Sequence, residues 1–325
     1  MQPIKKEEVD MDFITFVIIV LASFVVVWLV SFLVEALRPA PKTPATMPWD
    51  PSLKPAYVTV DGVKLRYLKV GAGPVLLLLH TLRTQLDLFH KVIPELARDF
   101  TVYALDYPGH GYSGIPDGSY DADFFVKYVN GFLEELDLTG VILSGVSIGA
   151  SISLIIAARH NPRVVRIIPI NPYDYDQGRG LARASWLGRL FVSLTAIPVV
   201  GDTVMRLRTY VIMKAVLAGG VSDPESISSA LMKEMYVVGN RRGHYRGFIN
   251  LLRNSSSWER ARIEYRNINV PTFIIWGAKD WSRPEERRYD ESLISGVQSV
   301  TLETGGHFLP LDAPNDVVRH IRSAA

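Results

Sequence analysis

The sequence contains no cysteine among its 325 residues. That absence excludes disulfides, thiolate metal sites and a cysteine nucleophile, while leaving the redox compartment open. The sequence also has little net charge, formally +2, and no block of like charges, so it lacks the basic field that attracts nucleic acid. Internal repeats and low-complexity tracts are lacking too. The composition, with 48% hydrophobic and 21% charged residues, is typical of a globular protein.

One long apolar run lies near the N-terminus. The residues from Phe13 to Val34 are all uncharged, and about 20 apolar residues suffice to cross a bilayer as a helix. We therefore predict a tail at 1–12, a single membrane-spanning helix at 13–36 and a membrane localisation. A cleaved signal peptide is the alternative, because Val34 and Ala36 resemble a cleavage site, but the preceding KKEEVDMD is not basic. Lysine and arginine flank the run on both sides, so the positive-inside rule favours a cytoplasmic catalytic domain only marginally.

The sequence after this run changes character twice. Residues 37–55 contain repeated prolines, which oppose helix formation and favour an extended, semi-rigid linker. Beyond them, short apolar runs alternate with segments of helical periodicity, which predicts an α/β fold with a mostly parallel sheet and helices on both faces. The predicted strands are TV, KLRYLKV, VLLLLH, TVYAL, VILS, VVRIIPI, TFIIWG and VQSVTL. The predicted helices cover residues 87–98, 122–136, 148–159 and 314–322.

One interval, residues 173–267, breaks this alternation. It has helical periodicity without a convincing strand, and Pro198 and the pair Gly219-Gly220 punctuate it. We predict an inserted helical cap of three or four helices, which divides an α/β core at 56–172 and 268–325. The apolar faces of the cap are expected to line a pocket and pack on the core, although its basic residues also suit the headgroup layer of a membrane.

The strongest chemical signal is VILSGVSIGAS, a G-x-S-x-G pattern between a predicted strand and a predicted helix. A serine at such a sharp turn is exposed above the sheet, and Gly145 and Gly149 are needed because a Cβ at either position would collide with the neighbouring backbone. Ser147 is therefore the candidate nucleophile. The backbone N–H of Ile148, in the first turn of the helix, is the first candidate oxyanion donor.

A serine hydroxyl is a weak nucleophile until a base removes its proton. His307, on the loop after the last predicted strand, is the candidate base, and Asp280, after the strand TFIIWG, is the acid expected to orient it. The order serine, acid, histidine is that of one hydrolase class. Asp174 and Asp176, just after VVRIIPI, are the alternative acids.

The sequence from about residue 75 to the C-terminus resembles the α/β-hydrolase family. The resemblance rests on five motifs in order: LLLLH, LDYPGHGYSG, GVSIGA, WGAKDWSRP and GGHFLPLDAP. It is closest in kind to the epoxide hydrolase, haloalkane dehalogenase, C–C hydrolase and monoacylglycerol lipase-like branches. The first two of these branches use an aspartate where this sequence has Ser147, so the resemblance implies cleavage of an ester, thioester, amide or C–C bond.

A second departure from the family lies after the LLLLH strand, where His-Gly is usual and this sequence has His80-Thr81. By position the second oxyanion donor is the N–H of Leu82, but Thr81, being β-branched, adopts positive φ only at a cost, so a different course of the loop is expected. Arg83 is a candidate ligand for a substrate carboxylate or phosphate, with solvation or pairing to Asp87 as the alternative. Trp281 is a further candidate substrate-binding residue.

We therefore predict a membrane-anchored serine hydrolase that cleaves a hydrophobic ester or lipid-derived acyl substrate through an acyl-enzyme on Ser147. A small hydrophobic substrate and membrane lipid are the expected partners, and no cofactor or metal is required. Two alternatives stay open. One is a C–C bond hydrolase with Arg83 holding an acidic substrate, and the other is a catalytically silent subunit of a membrane complex, which the altered loop at His80-Thr81 motivates.

Overall fold

The computed structural model describes residues 13–325 and is built around one eight-stranded sheet. Its strands are β1 Ala56–Val60, β2 Val63–Val70, β3 Val75–Leu79, β4 Thr101–Leu105, β5 Val141–Val146, β6 Val164–Ile170, β7 Phe273–Gly277 and β8 Gln298–Leu302. Their spatial order is β1-β2-β4-β3-β5-β6-β7-β8. The pairs β1–β2 and β2–β4 are antiparallel, and all other neighbours run parallel. The predicted mostly parallel α/β fold is confirmed.

The helices cover the sheet and fill the interval between β6 and β7. They are α1 Phe13–Ala36, α2 Ile93–Leu96, α3 Ala122–Glu135, α4 Ile148–Ala158, α5 Trp186–Thr195, α6 Val200–Arg206, α7 Tyr210–Ala218, α8 Ser229–Gly239, α9 His244–Arg253, α10 Ser256–Ala261, α11 Pro284–Leu293, α12 Leu309–Asp312 and α13 Pro314–Ala324. Short 3-10 helices lie at Leu86–Phe89, Asp176–Gly178, Gly180–Arg183, Pro224–Ser226 and Arg262–Asn267.

Burial follows the sequence patterns that predicted these elements. Every residue of β5 and α4 is buried, as expected of VILSGV and IGASISLIIAA, which are almost wholly apolar or small. By contrast α3 buries one face, and it begins where the carboxylate of Asp121 accepts a hydrogen bond from the N–H of Phe124 at 2.9 Å. The central strands and α4 thus form a rigid base for the loops at the carboxyl edge of the sheet.

Two predicted helical segments differ from the structure. The helix predicted at 87–98 is interrupted, because Pro94 has no N–H for the helical ladder and instead stands in the first turn of the separate helix α2. The interval 173–267 contains six α-helices, α5 to α10, rather than three or four. Additional breaks come at points such as Gly243, whose positive φ of 84° precedes α9.

The N-terminal helix α1 is long and apolar enough to cross a membrane, with a mean hydropathy of 3.0 in its most apolar window, and only 6% of that window is buried. Signal sequences pass the same test of length and composition. The linker at 37–55 is not helical, as predicted, but it does not hold α1 at a distance. Met47 is fully buried, and the indole N–H of Trp49 donates to Asp87 Oδ1 at 3.0 Å. The linker therefore lies against the rest of the protein, held by its two largest apolar side chains.

Candidate active site

The backbone at Ser147 has the strained geometry expected of a nucleophile elbow. Ser147 stands between β5 and α4 with φ 60° and ψ −120°, a conformation that non-glycine residues rarely adopt. A Cβ on Gly145 would lie 2.3 Å from the carbonyl carbon of Gly149, and one on Gly149 would lie 2.2 Å from the carbonyl oxygen of Leu79. The two glycines therefore allow strand and helix to approach closely enough to hold the serine in this turn.

Asp280 and His307 come together from the loops after β7 and β8. His307 Nδ1 donates a short hydrogen bond to Asp280 Oδ1, and both side chains are fully buried. The other carboxylate oxygen accepts from the backbone N–H of Ser282 at 2.9 Å and from its hydroxyl. Burial alone would raise the pKa of Asp280, but the neighbouring imidazole and these hydrogen bonds hold it below its usual value. Asp280 therefore remains an anion that fixes the orientation of His307.

The two atoms that would exchange a proton are left unpaired. Ser147 Oγ and His307 Nε2 are both buried, and neither has a hydrogen-bond partner among residues 13–325. The structure contains no direct bond between them. Since β5, β7 and β8 share one sheet and β5 is parallel to β6, β6 to β7 and β7 to β8, their carboxyl ends lie on the same edge. Both atoms therefore keep their hydrogen-bonding capacity free for a reacting group.

Trp281 packs on the proposed base rather than facing open space. Its indole stacks on the ring of His307 with centroids 3.9 Å apart and planes inclined by 16°, and its N–H donates to the carbonyl of Gly219 at 2.9 Å. The contact with Gly219 joins the imidazole to the segment after α7. Trp281 therefore packs on one face of the imidazole, and its contact with substrate stays a prediction.

Asn171 is a structural support that the sequence argument missed. Its side chain donates to the carbonyls of Gly306 and His307 at 2.9 and 3.0 Å and accepts from the N–H of Gly277 at 2.8 Å. It thereby ties the end of β6 to the end of β7 and to the histidine loop. An asparagine just after a buried strand was the available signal, because asparagine tolerates positive φ, here 47°.

The loop after β3 places its positive-φ residue at Arg83, with φ 60°, and not at Thr81. The carbonyl of Thr81 is held by the hydroxyl of Thr84 at 2.9 Å and lies 2.7 Å from His80 Nδ1. Within residues 13–325, the N–H groups of Leu82 and Ile148 donate to no backbone or side-chain acceptor. Both predicted donors are therefore available to an oxyanion.

Arg83 is buried in a different environment from the one predicted. It does not pair with Asp87, whose carboxylate binds Arg66 at 2.8 Å and the Trp49 indole. Instead its guanidinium donates a short hydrogen bond to the carbonyl of Gly239, lies 3.1 Å from His244 Nδ1 and forms no ion pair within the described chain. Burial, reinforced by the positive charges of Arg208 and Arg38, lowers its pKa to about 9. Arg83 is thus a cation without a counter-ion, and it lines a cavity whose other walls include Phe191 and Phe248 of the cap helices.

The alternative acids are committed to other contacts. Asp174 accepts from the hydroxyl of Tyr265 at 2.7 Å and lies 3.8 Å from Arg262, while burial raises its pKa. Asp176 is partly exposed and pairs with Arg183 at 3.2 Å. Neither bonds to His307, which leaves Asp280 as the acid at the site.

Two buried histidines near the site predict a loss of stability in acid. Burial lowers the pKa of His80 to about 4 and that of His110 to about 3, from 6.5. Between pH 6.5 and those values the unfolded chain binds more protons, so the free energy of unfolding falls as pH falls, by up to about 1.4 kcal/mol per pH unit for each imidazole. Denaturant midpoints at pH 7 and pH 5 measure this. His110→Gln should reduce the dependence and the exposed control His160→Gln should not; equal slopes in both variants would contradict the prediction.

The fold, the serine at a strand-to-helix elbow and the histidine–aspartate pair at the carboxyl edge of the sheet together define a hydrolase of the α/β class. Residues 74–314 match the family described as alpha/beta hydrolase fold, and the chain belongs to that family.

Similar proteins carry the names of several kinds of hydrolase. Bifunctional epoxide hydrolase 2 of Rattus norvegicus is 25% identical over 312 residues, which cover 85% of this chain and 56% of that protein. A 2-hydroxy-6-oxo-6-(2'-aminophenyl)hexa-2,4-dienoic acid hydrolase of Metapseudomonas resinovorans is 23% identical over 272 residues, covering 80% of this chain and 87% of that protein. The crystal structure of the enol-lactonase from Burkholderia xenovorans LB400 superposes with a TM-score of 0.64 at 22% identity, covering 82% of this chain and 98% of that one. At this identity the structural likeness concerns the fold.

Proposed function

We propose that the protein is a membrane-anchored serine hydrolase acting on a hydrophobic ester or lipid-derived acyl substrate. The observation that carries the proposal is that the strained, buried Ser147 and an imidazole held at Nδ1 by Asp280 follow strands that end on the same edge of the sheet. With Nδ1 occupied as a donor, Nε2 is the nitrogen left to accept the serine proton.

The proposed reaction has two acyl-transfer steps. His307 Nε2 takes the proton of Ser147 while Oγ attacks the carbonyl carbon, and the N–H groups of Leu82 and Ile148 bind the oxyanion. The imidazolium then gives its proton to the leaving alkoxide as the C–O bond breaks. A water molecule, deprotonated by His307, attacks the acyl carbon, and the imidazolium then returns the proton to Ser147 Oγ as the acyl C–Oγ bond breaks and the acid product leaves.

The apolar cavity beneath the cap supports a greasy substrate. Arg83 reaches this cavity from the core, and its walls come from the segments before and within α5 to α9; they include Leu181, Phe191, Met205, Ile212, Met213, Val216, Leu217 and Phe248. Its enclosed volume is about 30 Å³, and Ser147 and His307 are not among its lining residues. Ser147 and His307 are fully buried. Substrate therefore reaches them only when the cap or a neighbouring loop moves.

A serine nucleophile favours one group of the relatives' chemistries. Branches that open epoxides or displace halide use an aspartate at the elbow, whereas a serine forms an acyl-enzyme with esters and lactones. We further propose that α1 stays attached as a single-pass anchor and, by the weak lysine and arginine asymmetry, that the catalytic domain is cytoplasmic.

A fluorophosphonate probe tests the proposal on the intact, detergent-solubilised chain. Covalent labelling at Ser147 is the expected result. In a separate assay, the unlabelled protein is expected to hydrolyse p-nitrophenyl esters, which are tested with increasing acyl length. A folded chain that the probe does not label would instead support the catalytically silent subunit.

The buried, unpaired Arg83 favours a second candidate, a hydrolase of acidic substrates that includes C–C cleavage. An uncompensated guanidinium at an apolar cavity is costly to bury and matches a carboxylate brought in by a ligand. Under this candidate we expect Arg83→Met to lower kcat/KM for a dicarboxylic monoester or an acidic diketone by roughly 10- to 100-fold, the worth of a charge-assisted hydrogen bond, and to leave neutral esters unchanged.

Arg189→Met removes an exposed arginine from the cap and is the matched control, expected to alter neither substrate class. An equal loss on neutral and acidic substrates would show that Arg83 supports the loop after β3 and does not bind substrate charge.

A further inference from the structure

The C-terminal end of α1 is bonded to the cap. The carboxylate of Glu35 accepts from Arg208 at 2.7 Å, from the backbone N–H of Gly243 at 2.8 Å and from Arg38 at 3.0 Å. Arg38 in turn donates to the carbonyls of Arg206 and Arg208 at 2.7 and 3.1 Å. Glu35 is only 7% exposed, so these bonds are largely shielded from water. The end of the apolar helix therefore has a fixed position beside α6.

An aromatic contact reinforces this attachment one turn earlier. The guanidinium of Arg206, the last residue of α6, lies 3.8 Å from the ring centroid of Phe32, and it reaches the hydroxyl of Ser31 at 3.3 Å. The preceding part of α1 is exposed, with Leu29 at 55% and Val30 at 46%. The boundary between the free and the attached part of α1 thus lies at about Ser31.

Exposed apolar side chains concentrate on the same part of the cap. Trp186 and Val211 are 73% and 71% exposed, and Leu190, Ile197 and Val199 are each 48% exposed. These five residues lie on α5, on α7 and in the turn before α6, and we call them the apolar cap face. In the rest of the described chain beyond α1, the large apolar residues with comparable exposure are Leu37, Val165, Ile263 and Tyr289. The exposed basic side chains of Arg189 and Lys214 lie on α5 and α7 beside this face.

The length of α1 relates the apolar cap face to the surface of a bilayer. At 1.5 Å per residue, a helix of 24 residues is about 36 Å long, which exceeds the roughly 30 Å of a bilayer's hydrocarbon core. When α1 crosses a bilayer, its C-terminal turns emerge at the headgroup layer. Because α6 is bonded to those turns and packs against α5, the cap is brought to the same level. Tryptophan, aliphatic and basic side chains are the composition that this layer accepts.

We propose that the apolar cap face lies in the headgroup layer of the membrane that α1 crosses, so that the protein docks on the bilayer by two elements and not by α1 alone. The occupant is lipid, since a helix of membrane-spanning length is bonded to the end of α6, and α6 packs against α5, which carries part of the face. This inference rests on the anchoring in the proposed function and is independent of the hydrolytic chemistry.

Environment-sensitive labels test the docking without reference to activity. Because the chain has no cysteine, Trp186→Cys, Leu190→Cys and Val211→Cys each give a single site for a nitrobenzoxadiazole label. The labelled full-length chain is reconstituted into vesicles of phosphatidylcholine and phosphatidylglycerol in equal parts, with or without bromine on the acyl chains. Val165→Cys is the matched control, since Val165 has the same 48% exposure as Leu190 but stands at the amino end of β6, on the edge of the sheet opposite Ser147.

We expect the three cap labels to show blue-shifted emission and to lose at least half of their intensity in brominated vesicles, while the label at 165 emits as in water. Equal, water-like emission from positions 190 and 165 would overturn the proposal. Blue-shifted emission at 190 without quenching by brominated lipid would also overturn it, because that result indicates a protein partner such as a second copy of the chain. Unquenched cap labels together with a quenched label at Leu21→Cys within α1 would leave the anchor intact and refute the docking alone.

Discussion

Ser147→Ala is expected to lower kcat for ester hydrolysis by roughly 10⁴- to 10⁶-fold, the scale at which removal of a serine nucleophile acts. Without Oγ no acyl-enzyme forms, and only binding and the N–H groups of Leu82 and Ile148 can still accelerate attack by water. Fluorophosphonate labelling should disappear with the activity. The measurements are a steady-state rate on a p-nitrophenyl ester and mass spectrometry of the labelled peptide.

Ser153→Ala is the matched control for this variant. Ser153 lies on α4 six residues from the elbow, is fully buried and donates to the carbonyl of Gly149 at 2.9 Å. Its loss is expected to cost about 1 kcal/mol of unfolding free energy while labelling and turnover persist. Retention of activity in Ser147→Ala would exclude the acyl-enzyme and would shift the search to another nucleophile.

Asp280→Asn is expected to lower kcat by roughly 10⁴-fold, the cost seen when an amide replaces the carboxylate of such a triad. An asparagine amide can donate to Nδ1 and so favours the imidazole tautomer with its proton on Nε2, where it cannot accept the serine proton. The native carboxylate accepts from His307 and from Ser282, and the asparagine side chain replaces one of those acceptor oxygens by a donor. Stopped-flow or steady-state rates on the same ester measure the effect.

Asp174→Asn separates the two possible acids. Its carboxylate bonds to Tyr265 and faces Arg262, so the substitution should lower stability while leaving kcat within a few-fold of the native value. Inactivity of Asp174→Asn combined with full activity of Asp280→Asn would assign the acid to the end of β6 instead.

The parts of the fold that the sequence predicts are those governed by local pattern and burial. Strands such as VLLLL and VILSGV are buried on both faces, so their composition alone reveals them. The turn at Ser147 can also be predicted from the sequence. The glycines on either side of it are a visible pattern, and they are required because a Cβ at either position would lie less than 3 Å from backbone atoms. The positions of Asp280 and His307 follow from the rule that parallel strands end on one edge.

What the sequence does not predict depends on contacts between distant segments. The setting of Arg83 depends on Gly239 and His244, which lie more than 150 residues away. The support given by Asn171 likewise requires that β6, β7 and the histidine loop already be assembled. The number of cap helices was underestimated because short helices there are stabilised by packing, whereas periodicity identifies only long ones.

The bonds of Glu35 to Arg208 and Gly243 bear on which part of the protein is free to move relative to α1. They fasten the cap to α1, so the cap keeps its position relative to that helix. If α1 is the membrane anchor proposed above, the opening that admits substrate to the buried Ser147 is a movement of the sheet, or of a neighbouring loop, relative to the cap. The segment Met47 to Trp49, with Met47 buried and Trp49 bonded to Asp87, joins α1 to the core and would limit such a movement.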